Sequence, residues 1–334
     1  MYQLGTKWKL WDLQNFLADE VQRITLRGYK EEQPVLLPSD FYMLNLQGRR
    51  FRGLSVGQIA SGFCPTQRDL YLEKAQGIRI SRTNKTWGSI TGHLIEQYCM
   101  GILDYFRDFA NNPGGLNYQL IQSLAEEYSQ NFWRHRGGKI NELQEKAKTS
   151  LETPERLMFL LQQTAKYELT MLGADYLFSN TIQEFIPLLE GIPIKFDQES
   201  VKIYPHTNLG LSEFTTPDFI IFEPEIVMGD VKSGPHIEPK YLHTITGYAL
   251  AYESQHQTDV NFGVVYFFET HTEQLNFAQS YVFVISDVLR RGFLDKRNQS
   301  YKTLQAMSFP PLADREKHCQ YCKYLSNCYP ETNG

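Results

Sequence analysis

The sequence predicts a mixed α/β protein in which a helical layer comes first, a sheet core follows, and a cysteine-rich tail ends the chain. Three observations predict this order. Apolar residues recur at helical spacing through the first half, short β-branched and aromatic runs follow Ile182, and three cysteines lie near the end. A helix-like segment packed after the central strands fits a mixed α/β domain. We divide the chain into an N-terminal helical extension (1–54), a helical region with one remote cysteine and a histidine motif (55–180), a core (181–308) and a cysteine tail (309–334).

Each element has its own sequence signal. Apolar spacing predicts helices over 7–27, 88–110, 117–135, 153–180, 238–255 and 286–305. Thr153 suits the N-cap of the long fourth helix, with Pro154 in its first turn. Strands are predicted over 191–204, 209–215, 218–222, 226–232, 261–269 and 281–285. Residues 30–60 are expected to be largely loop, because Pro34 and Pro38 interrupt short apolar pieces there.

Composition limits the classes of protein to consider. The chain has 334 residues, of which 42% are apolar, so it can bury a large core. No apolar run approaches the roughly 18 residues of a membrane helix, and the first residues lack a signal-peptide pattern. We therefore expect a cytoplasmic protein with no membrane partner. The net charge of -5 does not favour nucleic acid, yet basic residues cluster locally, and a nucleic-acid enzyme needs only a local positive groove.

Four cysteines form a pattern typical of one soft-metal centre. Cys319, Cys322 and Cys328 follow C-x2-C-x5-C, and Cys64 lies far upstream. Clustered thiolates select zinc or an iron–sulfur cluster, and the spacing alone does not choose between them. Two disulfides are the alternative, which a reducing compartment disfavours. The fifth cysteine, Cys99, is expected to pack in a helix.

Two aspartates and a lysine are expected to converge on one spot. Apolar strands flank a turn at Pro224, and folding the hairpin there places Asp218 opposite Asp230. Side chains opposite each other on antiparallel strands leave the same face, and like charges there repel unless a cation lies between them. Lys232 leaves the same face two residues later. Carboxylates at this position suit Mg²⁺ or Mn²⁺, while Lys232 can orient water or contact a phosphate. The alternative is a solvent-exposed pair at the strand ends that Lys232 neutralises.

A histidine motif lies upstream of this hairpin. Gly88 and Gly92 stand four residues apart at a predicted helix start and are followed at once by His93. His93 can supply the nitrogen ligand that completes the carboxylate site. The alternative is a capping or otherwise satisfied histidine.

These motifs together carry a family resemblance over roughly residues 55–330. In order, they are F-C-P-T-x-R-D around Cys64, G-x3-G-H ending at His93, Asp218, Asp-x-Lys at 230–232 and the final C-x2-C-x5-C. The chain resembles RecB-like iron–sulfur nucleases, and within them the CRISPR-associated exonucleases of spacer acquisition, in particular the Csa-type branch. The resemblance implies a restriction-endonuclease-like core. It also implies a metal-dependent exonuclease that trims single-stranded DNA ends, or overhangs, for a CRISPR integrase complex.

The resemblance also assigns residues to roles. It implies a [4Fe–4S] cluster on Cys64, Cys319, Cys322 and Cys328. It implies a divalent metal on His93, Asp218 and Asp230, to which we add the backbone carbonyl of Val231. Asp218, Asp230, Lys232 and Tyr248 are the expected catalytic set. For DNA we expect the basic residues nearest these motifs, Arg68, Arg79, Arg82 and Lys85, with a fallback path along Arg290, Arg291, Lys296 and Arg297.

Two departures from the family pattern keep alternatives open. Asp230 stands where many relatives have Glu, which is one methylene longer. Thr244 stands where relatives have the Gln of a Gln-x3-Tyr motif ending here at Tyr248, so His243 or Tyr241 would have to replace it. Tyr248 by itself also fits a core tyrosine. A catalytically weak DNA-binding or scaffold subunit of the adaptation complex is therefore the first alternative. A zinc-stapled recombination or repair nuclease is the second.

Overall fold

The computed structural model describes most of the chain between Leu17 and Pro330. The described residues are 17–30, 45–46, 49–50, 53–80, 87–110, 118–147, 153–179, 194–195, 201–222, 225–269, 279–306, 308–319 and 322–330. Its helices are α1 (Ala18–Gln22), α2 (Val56–Ser61), α3 (Arg68–Lys74), α4 (Trp87–Ala110), α5 (Tyr118–His135), α6 (Gly137–Lys146), α7 (Pro154–Ser179), α8 (Pro239–His256), α9 (Asp287–Gln305), α10 (Arg315–His318) and α11 (Leu325–Cys328). None of the described helices is long and apolar enough to cross a membrane.

The centre of the protein is a five-stranded mixed sheet. Its strands are β3 (Ile194–Lys195), β4 (Phe219–Ile221), β5 (Val227–Gly234), β6 (Phe262–Glu269) and β7 (Gln279–Val284), in the spatial order β3-β4-β5-β6-β7. Only β5 and β6 run parallel, and α8 connects them. A separate two-stranded pair joins β1 (Asn45–Leu46) to β2 (Arg49–Arg50).

Helices cover both faces of this sheet. One core packs α4, α5, α6 and α7 against the sheet face that carries Val231 and Tyr266. The other core packs α2, α8 and α9 against the opposite face, which carries Met228 and Val265. The alternation of side chains along β5 divides neighbouring residues between the two cores. Odd-numbered and even-numbered residues of β5 therefore face different helical layers.

A buried ionic network ties the N-terminal part of the chain to α8 and α9. Glu253 on α8 is fully buried and lies 3.0 Å from Arg27 and 2.7 Å from Arg290. The Asp287 carboxylate accepts hydrogen bonds from the backbone N–H groups of Thr25 and Leu26. These charges are tolerated at buried positions because each is paired with an opposite charge or takes part in a hydrogen bond.

Most long predicted elements are confirmed. The helices predicted at 88–110, 117–135, 153–180, 238–255 and 286–305 lie within one or two residues of α4, α5, α7, α8 and α9. Thr153 does cap α7, since its hydroxyl accepts the N–H of Arg156. The strands predicted at 218–222, 226–232, 261–269 and 281–285 correspond to β4, β5, β6 and β7.

Other predictions are wrong. Residues 23–27 are not helical, since α1 ends at Gln22, and residues 7–16 of that predicted helix lie outside the described residues. The predicted loop at 30–60 contains the start of α2, where Ser55 and Gln58 form a capping box. The segments 201–204 and 209–215 form no strands but only bridges at Ile203, Leu211 and Thr215. The short apolar runs in these segments belong to a loop that is anchored on the core. The apolar pattern alone does not distinguish such a loop from a strand.

Candidate functional site

The two aspartates lie opposite each other, as the hairpin register predicts. Phe219 pairs with Gly229 across β4 and β5, so the next position along pairs Asp218 with Asp230. A side chain at Gly229 would meet the Phe219 ring at 2.0 Å, so glycine is what allows the strands to approach here. This ring-over-glycine contact is compatible only with a glycine at position 229 in the register that brings the two carboxylates together.

Lys232 joins both carboxylates. Its Nζ lies 2.6 Å from Asp230 Oδ2 and 3.7 Å from Asp218 Oδ2. The same ammonium donates a hydrogen bond of 3.0 Å to the carbonyl of Val231, the predicted fourth ligand. Asp218 is held by the backbone, because the Val231 N–H donates to its Oδ2 at 2.7 Å. The predicted convergence of the two aspartates and the lysine is therefore present.

Asp230 is the buried member of the pair. Its side chain is 1% exposed, whereas that of Asp218 is 15% exposed. Burial raises the pKa of Asp230 well above the usual range; the Asp218 charge raises it further and Lys232 opposes the shift. Although Lys232 is close, Asp230 Oδ2 has no partner in hydrogen-bond geometry. A buried carboxylate oxygen without a hydrogen bond, facing a second carboxylate, suits a hard divalent cation.

Helix α4 adds a carboxylate that the sequence reasoning missed. Glu96 follows His93 by three residues on the same helical face, and the His93 Nδ1 lies 4.0 Å from its Oε2. Burial raises the pKa of Glu96, the Asp218 charge raises it further, and the Lys232 charge lowers it. Glu96 is thus an electrostatic neighbour of the aspartate pair. The i, i+3 spacing from His93 was the available signal for it.

His93 itself is on the open side of this cluster. Its side chain is 53% exposed. Among the residues that the structure describes, no three His, Cys, Asp or Glu side chains lie close enough together to hold a metal ion. The carboxylate oxygens of Asp218 and Asp230 are the kind of ligand that a divalent metal takes. His93 is not close enough to form a three-residue site with them.

Helix α8 presents two tyrosines to the site. Burial raises the pKa of Tyr248, and the charges of Asp230, Asp218 and Glu96 raise it further. Tyr241 is also close, since the charges of Lys232 and Asp230 act on its hydroxyl, and it donates to Glu238. Tyr248 therefore lies beside the carboxylates as predicted.

The residues around the missing glutamine face elsewhere. The Thr244 hydroxyl donates to the carbonyl of Lys240 at 2.9 Å, within its own helix. His243 packs against Gly292 on α9. Burial lowers the pKa of His243, and the charge of Lys296 lowers it further. Of the two residues expected to replace the glutamine, Tyr241 alone lies beside Asp230.

The four clustered cysteines are neighbours in the fold. Burial raises the pKa of Cys319, and its neighbours Cys64 and Cys328 raise it further. Burial also raises the pKa of Cys322, with Asp69, Cys328 and Cys319 contributing. Cys64 and Cys322 line one cavity of about 210 Å³ together with Tyr324 and Lys323. Cys319 and Cys328 are not part of that lining, and no three of the described thiols lie close enough together to hold a metal ion as they stand. The four thiols have the donor chemistry of a soft-metal centre without its geometry.

Side-chain contacts dock the tail onto α3. Glu73 on α3 accepts Lys323 Nζ at 2.9 Å and the Tyr324 hydroxyl at 3.1 Å. The Phe309 ring packs on Tyr71 with centroids 5.2 Å apart. These contacts hold the end of the chain beside the loop that carries Cys64. Cys99, as expected, is buried in the helical core.

The predicted DNA contacts have different surroundings. The Arg68 guanidinium donates to the Pro310 carbonyl and lies over the Phe309 ring, so it serves tail docking. Arg79 is exposed, and Arg82 and Lys85 lie outside the described residues. The fallback path is wrong for two of its members, because Arg290 and Arg297 are 0% and 1% exposed. Helical spacing turned them inward, where Glu253 and backbone carbonyls bind them.

Comparison with known proteins agrees with the family suggested by the motifs. The family model described as CRISPR-associated exonuclease Csa1 matches residues 1–330. A protein of Saccharolobus solfataricus, named CRISPR-associated exonuclease Csa1, is 32% identical over 126 residues. That alignment covers 36% of this chain and 40% of the relative, so it spans less than half of the relative's length. Because the family model extends over nearly the whole sequence, the protein belongs to the family described as CRISPR-associated exonuclease Csa1.

Proposed function

We propose that this protein is a metal-dependent DNA exonuclease that acts on single-stranded DNA ends or overhangs. The observation that carries the proposal is the aspartate pair opposed across β4 and β5, with Lys232 within 3.7 Å of both carboxylates. Because the protein belongs to a family described as exonucleases, we propose that the substrate of this site is a nucleic acid. We propose the surrounding fold to be a restriction-endonuclease-like core, which the mixed sheet with helices on both faces supports.

In this proposal Asp218 and Asp230 would hold Mg²⁺ or Mn²⁺, with the Val231 carbonyl as a further ligand. His93, which is 53% exposed, would have to move toward the pair to join them. The cation would lower the pKa of a bound water and polarise the scissile phosphate. Asp218 is already oriented by the Val231 N–H, so it presents its remaining oxygen without rearrangement. Glu96 adds a third carboxylate close to the pair.

Lys232 and Tyr248 act on the phosphate and the water. The Lys232 ammonium can leave the Val231 carbonyl to contact a non-bridging phosphate oxygen, where its charge opposes the charge that develops in hydrolysis. The Tyr248 hydroxyl keeps its proton, because burial and three carboxylates raise its pKa. It therefore acts as a hydrogen-bond donor that positions the attacking water or the leaving oxygen.

The assay uses single-stranded DNA labelled at either end, with Mn²⁺ or with chelator. We expect shortening of the labelled strand with Mn²⁺ only, and which label is lost first gives the polarity. Asp230→Asn should abolish cutting, whereas Asp295→Asn, at an exposed carboxylate on α9, should not change it. Equal cutting by Asp230→Asn and the wild type would refute this active site.

A DNA-binding subunit without strong cutting is the second candidate. Thr244 favours it, because its hydroxyl is used within α8 and does not supply the family's glutamine contact. The same assay separates the two, since this candidate retains single-stranded DNA in a mobility shift but leaves it intact with Mn²⁺.

We further propose a [4Fe–4S] cluster on Cys64, Cys319, Cys322 and Cys328, with a structural role. It would pin the tail beyond the Glu73 contacts and constrain the unfolded chain. Anaerobically purified protein should be brown, with about four iron and four sulfide per chain for such a cluster. The Cys322→Ser variant should contain less iron, and proteases should cleave its tail faster. The Cys99→Ser variant should keep its iron. Stoichiometric zinc in colourless protein would refute the iron assignment.

The biological setting is also a proposal. The family's description as CRISPR-associated suggests that the enzyme trims DNA fragments before a CRISPR integrase complex inserts them. Co-purification of the integrase with tagged protein, compared with the Asp230→Asn variant, would test this partnership without requiring catalysis.

A further inference from the structure

An exposed aromatic pair lies on the loop before β4. Tyr204 is 49% exposed and Phe214 is 48% exposed, and their ring centroids lie 6.4 Å apart. The Lys202 ammonium lies over both rings, 4.7 Å from the Phe214 centroid and 5.7 Å from that of Tyr204. Single exposed aromatics are common, but two touching rings with a lysine form a defined patch. We call these three residues the aromatic patch.

The backbone explains why both rings point outward. Ile203 and Thr215 form an antiparallel bridge with two hydrogen bonds of 2.9 Å, and both side chains are buried. In such a pair successive side chains alternate between faces. Tyr204 and Phe214, each one residue away, are therefore cross-strand neighbours on the outer face, and Lys202 shares that face.

The loop that carries the patch is firmly anchored. The Tyr204 N–H donates to Gln255 at 2.7 Å, and the His206 N–H donates to Ser254 at 3.0 Å. The buried Arg297 binds the Leu209 carbonyl at 2.9 Å. The rings are thus held in place before any ligand arrives, which lowers the entropy cost of binding.

The patch also lies close to the active site along the chain. Phe214 precedes Asp218 by four residues, which span at most about 14 Å when extended. A strand whose bases rest on the patch would therefore reach the aspartate pair within a few nucleotides.

We propose that the aromatic patch is a base-stacking platform for the single strand that the nuclease cuts. This inference rests on the proposed function, since it names how the same site holds its substrate. Aromatic rings stack on any base, and a lysine between them binds the phosphate that links two bases. Glu213, the exposed residue before Phe214, carries one negative charge, and Lys202 makes the sum of these two charges zero. Half-exposed rings beside a cation suit a polyanion with flat bases better than an apolar protein surface.

The test measures binding in chelator, where nothing is cut. A fluorescein-labelled oligo(dT) should bind the wild type, and Tyr204→Ala/Phe214→Ala should bind about 25-fold more weakly or worse, because each of the two lost stacks typically weakens binding about 5- to 150-fold. Tyr204→Phe/Phe214→Tyr retains both rings and should keep wild-type affinity. Phe159→Ala removes a ring that is 45% exposed on α7 and is the matched control. Lys202→Gln should lower the log–log salt slope by about 0.7, one single-strand phosphate contact.

A second readout does not depend on the variants. 2-Aminopurine placed along the oligonucleotide should be quenched at one or two positions by the wild type, because a stacked fluorescent base loses emission. No quenching at any position would overturn the proposal, and so would unchanged affinity in the double alanine variant. Sedimentation checks the other occupant: if the double variant changes only the oligomeric state, the patch is a protein contact and the proposal is wrong.

The failure of this inference is distinguishable from the failure of the proposed function. Wild-type protein that cuts with Mn²⁺ but binds equally well without the two rings would refute the platform and leave the nuclease intact. Protein that binds and quenches in chelator but never cuts would refute the nuclease and leave the platform intact.

Discussion

Replacing Lys232 with methionine tests the electrostatics of the candidate site most directly. Methionine keeps much of the length and apolar stem of lysine but removes the charge that faces Asp230 at 2.6 Å and Asp218 at 3.7 Å. Without the Lys232 charge, no ammonium balances the two facing carboxylates, and one of these carboxylates is buried. We expect Lys232→Met to lower the free energy of unfolding.

The distances set the magnitude. At an effective dielectric constant of about 20, ion pairs at these two separations are worth about 6 and about 4 kcal/mol before desolvation is counted. Removing one partner of a buried pair typically costs about 3 to 5 kcal/mol. Because the Lys232 side chain is 28% exposed, we expect the lower end, about 3 kcal/mol. The double variant Asp230→Asn/Lys232→Met should recover most of this loss, since the uncompensated buried charge is gone.

Urea denaturation at several pH values, without divalent metal, is the assay. Burial and Asp218 raise the folded-state pKa of Asp230 above its unfolded value, so the proton stabilises the folded form. The cost of Lys232→Met should therefore be greatest above the raised folded-state pKa of Asp230 and shrink as the pH falls through it, because the protonated carboxyl carries no charge for Lys232 to balance. Lys302→Met, at an exposed lysine on α9, is the control. A loss below about 0.5 kcal/mol at pH 7, or no recovery in the double variant, would refute the reasoning.

Two further predictions concern stability. Glu168 is buried and accepts a hydrogen bond from the Tyr266 hydroxyl at 2.6 Å, and burial raises its pKa to about 7. Its ionisation therefore opposes folding increasingly as the pH rises from about 4.5 to 7, so Glu168→Gln should be more stable than the wild type by up to about 3 kcal/mol at pH 8 and nearly equal at pH 5. Equal urea midpoints at pH 8 would contradict this. Gly229→Ala places a methyl 2.0 Å from the Phe219 ring and should cost about 2 kcal/mol or more in thermal unfolding, whereas Gly88→Ala, with no atom within 4 Å, should cost far less. A neutral Gly229→Ala would show that the register tolerates a side chain there.

The sequence alone determined the long elements and the core of the site. Helices α4, α5 and α7 have sustained apolar spacing, and β6 is a β-rich and aromatic run of eight residues, so local pattern decides their type. The hairpin register followed from the turn at Pro224 and the strand period of two. For this reason Asp218, Asp230 and Lys232 could be placed on one face before the fold was known.

Only the tertiary structure decided which other side chains join that site. Glu96 lies far from β5 in sequence, and its approach depends on how α4 packs on the sheet. Tyr241 and His243 are both close to β5 in sequence, and the packing of α8 decided that Tyr241 lies beside Asp230. Arg290 and Arg297 look like surface charge in the sequence, yet Glu253 and a backbone carbonyl bind them inside. Burial is a property of packing between distant elements, and a charge is tolerated there only when the fold brings its partner.

The loop before β4 gives the same lesson for the surface. Its apolar residues predicted strands, but the chain uses Ile203 and Thr215 to anchor an irregular loop and leaves Tyr204 and Phe214 outside. The alternation of side chains along an extended chain already predicts that neighbouring side chains face opposite ways. Which way is inward depended on where α8 and α9 offered hydrogen-bond partners for the backbone, and the sequence carries no local signal for that.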